Sequence, residues 1–115
     1  MGLGPSSQGD MEVDLDKIRV VVKGLIDGDK IVIFSKTTCP YCRTAKSIFD
    51  GMNQRYTAVE LDRRDDCNAI QTVLEEMTGA RTVPRIFVGG ECLGGCSDVK
   101  KLFESGKLAE IVEAK

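Results

Sequence analysis

Two kinds of apolar spacing alternate along this chain: a three-to-four-residue repeat and short continuous runs. From Leu15, the positions Ile18, Val22, Leu25 and Ile26 keep helical spacing, which predicts a first helix ending between Gly24 and Gly28. Ile31-Val32-Ile33-Phe34 is a β-branched run bounded by Asp29-Lys30 and Ser35, so a buried strand is expected over 30–35. Cys42, Ala45, Ile48, Phe49 and Met52 return to helical spacing and stop at Gly51 and Asn53. Residues 56–61 predict a second strand, and a helix joining two strands implies a parallel βαβ unit. Cys67, Ile70, Val73, Leu74 and Met77 mark a third helix closing at Gly79, and the runs 85–88 and 91–93 flank Gly89-Gly90 as a hairpin. Val99, Leu102 and Phe103, then Leu108, Ile111 and Val112, predict helices over 97–105 and 108–114 with Ser105-Gly106 between them.

Four strands with several helices make an α/β fold, a four-stranded mixed sheet flanked by helices on both faces, which is a thioredoxin-like arrangement. The 115 residues, 42% hydrophobic, suit one domain with a modest core. Residues 1–11 are small and polar without periodicity and read as a flexible leader, leaving 12–115 as the domain. Gly2 and Ser6 match the short M-G-x-x-x-[ST] pattern for N-myristoylation, a match frequent by chance. Arg is absent from residues 1–18 while acids are present, unlike a transit peptide.

The net charge is −2 and His is absent, so there is no basic footprint for nucleic acid, no Cys-His protease and no His-containing zinc site. No apolar run approaches the ~20 residues that span a bilayer, and no membrane partner is expected. Five cysteines, an odd number, without a secretory signal argue for a reducing compartment. A cytoplasmic monomer is the expectation.

The chemistry lies in Lys36-Thr37-Thr38-Cys39-Pro40-Tyr41-Cys42-Arg43, where two thiols three residues apart join a strand to a helix. Pro40 suits the first helical position, because its fixed φ matches a helix and its missing N–H would have been unpaired there. Cys39 then sits at the helix mouth, facing unpaired N–H groups and a dipole worth at most ~2 kcal/mol, and Cys42 lies one turn deeper. Lys36 and the N–H groups of Tyr41 and Cys42 are candidates for further help. Cys39 is therefore the expected nucleophile. Because ionisation and intrinsic nucleophilicity largely offset each other, the benefit to turnover is that Cys39 leaves well when a second thiol expels it.

Three separated segments, Thr38-Cys39-Pro40-Tyr41-Cys42, Thr82-Val83-Pro84 and Gly94-Gly95-Cys96-Ser97-Asp98, resemble the signature segments of dithiol glutaredoxins, and the likeness covers roughly 12–115. The resemblance implies a glutathione-dependent thiol-disulfide oxidoreductase. Its partners are then glutathione, as reductant and co-substrate, and glutathionylated or disulfide-containing proteins. It implies a cis Pro84, with the Val83 backbone pairing with the substrate. Gly94-Gly95 lead to a helix N-terminus at Cys96 and Ser97 that favours the γ-glutamyl carboxylate, with Ser97 and Asp98 as alternative caps. Lys36, Gln71 and Arg81 match family positions around the glycyl carboxylate. Taken singly, each has a structural reading as a turn, a cap or a solvated charge; their common order around Cys39 favours the pocket.

Two non-enzymatic readings stand beside this one. Some glutaredoxins hold a [2Fe-2S] cluster between two protomers through the first active-site Cys and glutathione, although Pro40 departs from the usual dipeptides. Cys39, Cys42, Cys92 and Cys96 form two close pairs able to supply a Cys₄ zinc shell, against which the strand-before, helix-after context argues. No metal is expected, and Cys67, Cys92 and Cys96 read as packing thiols or oxidation-sensitive bystanders.

Overall fold

The structure, a computed structural model, describes residues 14–115. The leader and the Gly2–Ser6 pattern lie outside the described residues. Helix α1 (Leu15–Asp27) starts at Asp14, whose carboxylate accepts the N–H groups of Asp16 and Lys17, and ends at Gly28 with Gly24 inside it. Strand β1 (Ile31–Ser35) leads to α2 (Pro40–Gly51), then β2 (Thr57–Glu60), a short 3₁₀ turn (Leu61–Arg63) and α3 (Cys67–Thr78). Strands β3 (Arg85–Val88) and β4 (Glu91–Gly94) form the hairpin, and α4 (Cys96–Glu104) and α5 (Lys107–Ala114) close the chain.

The strands lie in the order β2-β1-β3-β4. Strands β1 and β2 run parallel, with Phe34 opposite Val59 and Ser35 opposite Glu60, whereas β1–β3 and β3–β4 are antiparallel. All five residues of β1 are buried, which explains why that segment reads as a continuous apolar run rather than an alternating one. Successive side chains leave opposite faces of the strand, so two cores result. Val32 and Phe34 pack with Val22, Ile70 and Leu74 under α1 and α3. Ile31 and Ile33 pack with Ala45, Phe49 and Val99 under α2, α4 and α5. Phe34 meets Phe87 edge-on with centroids 5.7 Å apart, and burying one such side chain contributes about 1.5–3 kcal/mol.

Several expectations shift at their edges. Strand β2 loses Tyr56 and Leu61, because Leu61 turns into the 3₁₀ segment that carries Asp62. Helix α4 begins one residue early, at Cys96: the Asp98 carboxylate accepts the Gly95 N–H at 2.9 Å, so Asp98 rather than Ser97 supports the helix start. Met77 and Phe103, read as core positions, are 53% and 46% exposed, because the buried stripe of α3 ends at Leu74 and that of α4 centres on Val99.

Candidate active site

Cys39 is the N-cap of α2, with extended backbone angles that let its own side chain fold back over the helix mouth. Its Sγ accepts the Cys42 N–H at 3.2 Å, and Pro40 occupies the first helical position as expected. The loop before it is tightened by the Cys39 N–H on the Lys36 carbonyl at 3.1 Å. It is also clamped from outside: Asp62 accepts the Thr37 N–H through both carboxylate oxygens at 3.1 Å and the Thr37 hydroxyl as well. These bonds hold the Asp62 carboxyl below its usual range.

Cys42 is fully buried, and burial, reinforced by Cys39 beside it, pushes its thiol up to about 11. The Lys36 backbone N–H and the Ser35 hydroxyl oppose that rise. The two thiols therefore differ in access: Cys39 is half-buried and reachable, whereas Cys42 is sealed beneath it.

Across from Cys39, the Val83 carbonyl oxygen lies 3.8 Å from Sγ, and the Val83–Pro84 bond is cis. Beside this bend opens a pocket of about 470 Å³, with Tyr41 on one side, residues 82–85 along its floor and residues 95–98 opposite. It gathers four of the expected binding residues, Val83, Pro84, Cys96 and Ser97. Cys96 is half-buried; burial raises its thiol, Cys39 adds to the rise and Lys100 opposes it.

Lys36, Gln71 and Arg81 stand outside that lining. Gln71 is nearly buried, donates Nε2 to the Arg81 carbonyl at 2.9 Å and accepts from the Cys67 thiol. The Arg81 guanidinium reaches back to Thr72 Oγ1 at 2.9 Å and to Asn68, so Gln71 and Arg81 form one cluster where α3 meets the loop leading to Val83. Among the described residues no three His, Cys, Asp or Glu side chains stand close enough to share a metal ion, and Cys92 packs on the α1–α3 core. The Cys₄ shell is not assembled.

The sequence reading did not include Ser35, Asp62, Tyr41, Thr82 or Arg85 among the site residues. Tyr41 and Thr82 belong to the Cys-Pro-Tyr-Cys and Thr-Val-Pro segments. Arg85 is a charged residue in a buried strand, which is itself a usable signal.

The chain matches the glutaredoxin family model over residues 31–93. It is 50% identical over 91 residues to Glutaredoxin-C4 of Arabidopsis thaliana, covering 79% of this chain and 67% of that protein. It is also 50% identical over 91 residues to the mitochondrial Glutaredoxin-2 of Mus musculus, of which it spans 58%. A crystal structure of a buckwheat glutaredoxin-glutathione complex superposes with a TM-score of 0.84 at 39% identity, over 87% of this chain and 91% of that one. With its cysteine pair at a helix mouth, its cis proline and its thioredoxin-like sheet, the chain belongs to the glutaredoxin family, whose members are glutathione-dependent thiol-disulfide oxidoreductases.

Proposed function

We propose that this chain reduces protein-glutathione mixed disulfides and protein disulfides, with Cys39 as nucleophile and Cys42 as resolving thiol. The observation that carries the reading is the setting of the Cys39 sulfur: it accepts the Cys42 N–H at the mouth of α2 and lies 3.8 Å from the carbonyl oxygen of Val83, which precedes the cis proline and lines the pocket.

In the first route the Cys39 thiolate attacks the glutathionyl sulfur of a mixed disulfide. The old S–S bond breaks, the target thiolate leaves, and Cys39 carries glutathione. A second glutathione, as thiolate, attacks that sulfur, releases oxidised glutathione and returns Cys39 as thiolate. In the second route Cys39 forms a mixed disulfide with a target protein. Cys42 loses its proton and attacks Cys39, expelling the target and closing a Cys39–Cys42 bridge that two glutathiones reopen.

The substrate lies with its backbone along Val83 and Pro84 and its γ-glutamyl end toward Cys96 and Ser97. Its glycyl end points to Lys36, Gln71 and Arg81. The buckwheat complex with glutathione supports glutathione as the ligand. The protein works as a monomer in the cytoplasm, with glutathione as co-substrate and no resident metal. Replacing Cys42 by Ser should leave reduction of a glutathione mixed disulfide largely intact, whereas Cys39→Ser should abolish it. Retained turnover in the Cys39 variant would overturn the assignment.

A further inference from the structure

Arg85 is a cation that is only 8% exposed, on the wall of the pocket between the cis bend and the start of α4. Its Nε donates to the Pro84 carbonyl at 3.3 Å. Among the described residues its two terminal nitrogens have no hydrogen-bond partner, and no carboxylate stands within ion-pair distance. The ion pairs there use Arg19, Lys23, Lys46, Arg64 and Lys115 instead. Asp98, on the same pocket, spends Oδ2 on the Gly95 N–H.

A guanidinium does not escape burial by losing its proton, so a buried one without a counter-charge is costly until an anion arrives. The direction from which the anion comes is set by Gly95. Arg85 Nη2 lies 3.0 Å from where a Cβ on Gly95 would be, so the fork is aimed at the backbone that begins α4. That helix, Cys96–Glu104, presents the unpaired N–H groups of its first turn at the same place. Two sources of positive potential thus converge on one wall, and a planar carboxylate is the group that matches a guanidinium fork.

We infer that Arg85 is a binding residue for the α-carboxylate at the γ-glutamyl end of glutathione, acting with the N-terminus of α4. The inference rests on the reading that glutathione occupies this pocket. Of the two carboxylates of the tripeptide, the glycyl one belongs to the Lys36, Gln71 and Arg81 side, which lies outside the pocket lining. The α-carboxylate is the one left for this wall. Glycine at 95 leaves the guanidinium this room: a Cβ there would stand 3.0 Å from Nη2, and the arginine would have to shift by a few tenths of an ångström.

The test uses S-methylglutathione, which carries both carboxylates but no reactive sulfur, and two analogues in which the α-carboxylate or the glycyl carboxylate is a carboxamide. Binding to the reduced full chain is followed by amide NMR shifts. Wild type should bind the α-carboxamide roughly ten- to hundredfold more weakly than the parent. Arg85→Met should bind the parent correspondingly weakly and lose discrimination at the α position, while keeping it at the glycyl position; Arg85→Lys should fall between. Equal affinity of wild type for parent and α-carboxamide overturns the inference without any variant having to fold. Undiminished α discrimination in Arg85→Met overturns it too. Failure of S-methylglutathione to shift the Val83, Cys96 and Ser97 amides of wild type would instead remove the pocket reading beneath it.

Discussion

Ser35→Ala isolates how the sealed thiol is brought into play. With its thiol pushed up to about 11, only about one Cys42 in ten thousand is ionised at pH 7, against about one in a hundred for a thiol at 9.0. Ser35 is fully buried next to it and is one of two groups favouring the thiolate. The Ser35 hydroxyl has a single proton, which in this structure points to the Lys36 carbonyl at 3.5 Å, the long limit of a hydrogen bond. Little is therefore lost when it swings to a sulfur anion. A hydrogen bond to a charged group is worth about 1.5–3 kcal/mol, or roughly one to two pKa units at 1.36 kcal/mol each. Taking the lower figure, Ser35→Ala cuts the ionised fraction about tenfold. The more basic sulfur regains roughly threefold in nucleophilicity, since the Brønsted slope is near 0.4–0.5. The net expectation is about a threefold slower closure of the Cys39–Cys42 bridge at pH 7. Single-turnover release of a thiol preloaded on Cys39 measures this step. The same substitution in a Cys42→Ser background should leave reduction of a glutathione mixed disulfide unchanged. An unaltered closure rate, or an equal fall in both routes, would refute the reasoning and make Ser35 a packing residue of β1.

Two further outcomes follow from the polar groups around α2. Asp62→Ala removes the acceptor for the Thr37 N–H and hydroxyl. Because the native carboxyl is held low, its contribution is present above the ordinary carboxylate range and lost as pH falls through the native value. The stability gap between wild type and variant in denaturant melts should therefore shrink from pH 6 toward pH 3. Lys46 and Glu60 pair at 2.7 Å with side chains only 20% and 18% exposed, and Glu60 Oε1 is buried without a partner. Lys46→Met should then cost about 3 kcal/mol in urea melts by stranding that carboxylate, and adding Glu60→Gln should recover part of the loss.

What was legible from sequence was what depends on neighbours in the chain. The all-buried β1 run, the Cys39 N-cap followed by Pro40, and the Gly89-Gly90 hairpin each declare themselves within a few residues. What escaped depends on partners far along the chain. Thr37 and Asp62 are 25 residues apart and meet only because β1 and β2 run parallel. Ser35 looked like a strand boundary, yet it stays buried on the α2 face under Cys42. Arg85 looked like the polar start of a strand, and its burial appears only once the cis bend and Gly95 enclose it. Met77 and Phe103 kept helical spacing past the point where there was core left to cover. The family motifs brought Val83, Pro84, Cys96 and Ser97 onto one pocket; Gln71 and Arg81 joined each other instead, on the α3 side.

The most direct test of the account is to trap the first intermediate. The Cys42→Ser protein, reduced and then exposed to a glutathione mixed disulfide, is digested and each cysteine-containing peptide is weighed by mass spectrometry. The account predicts glutathione on Cys39, with Cys67, Cys92 and Cys96 free. Glutathione on any of those three while Cys39 remains a free thiol would contradict it.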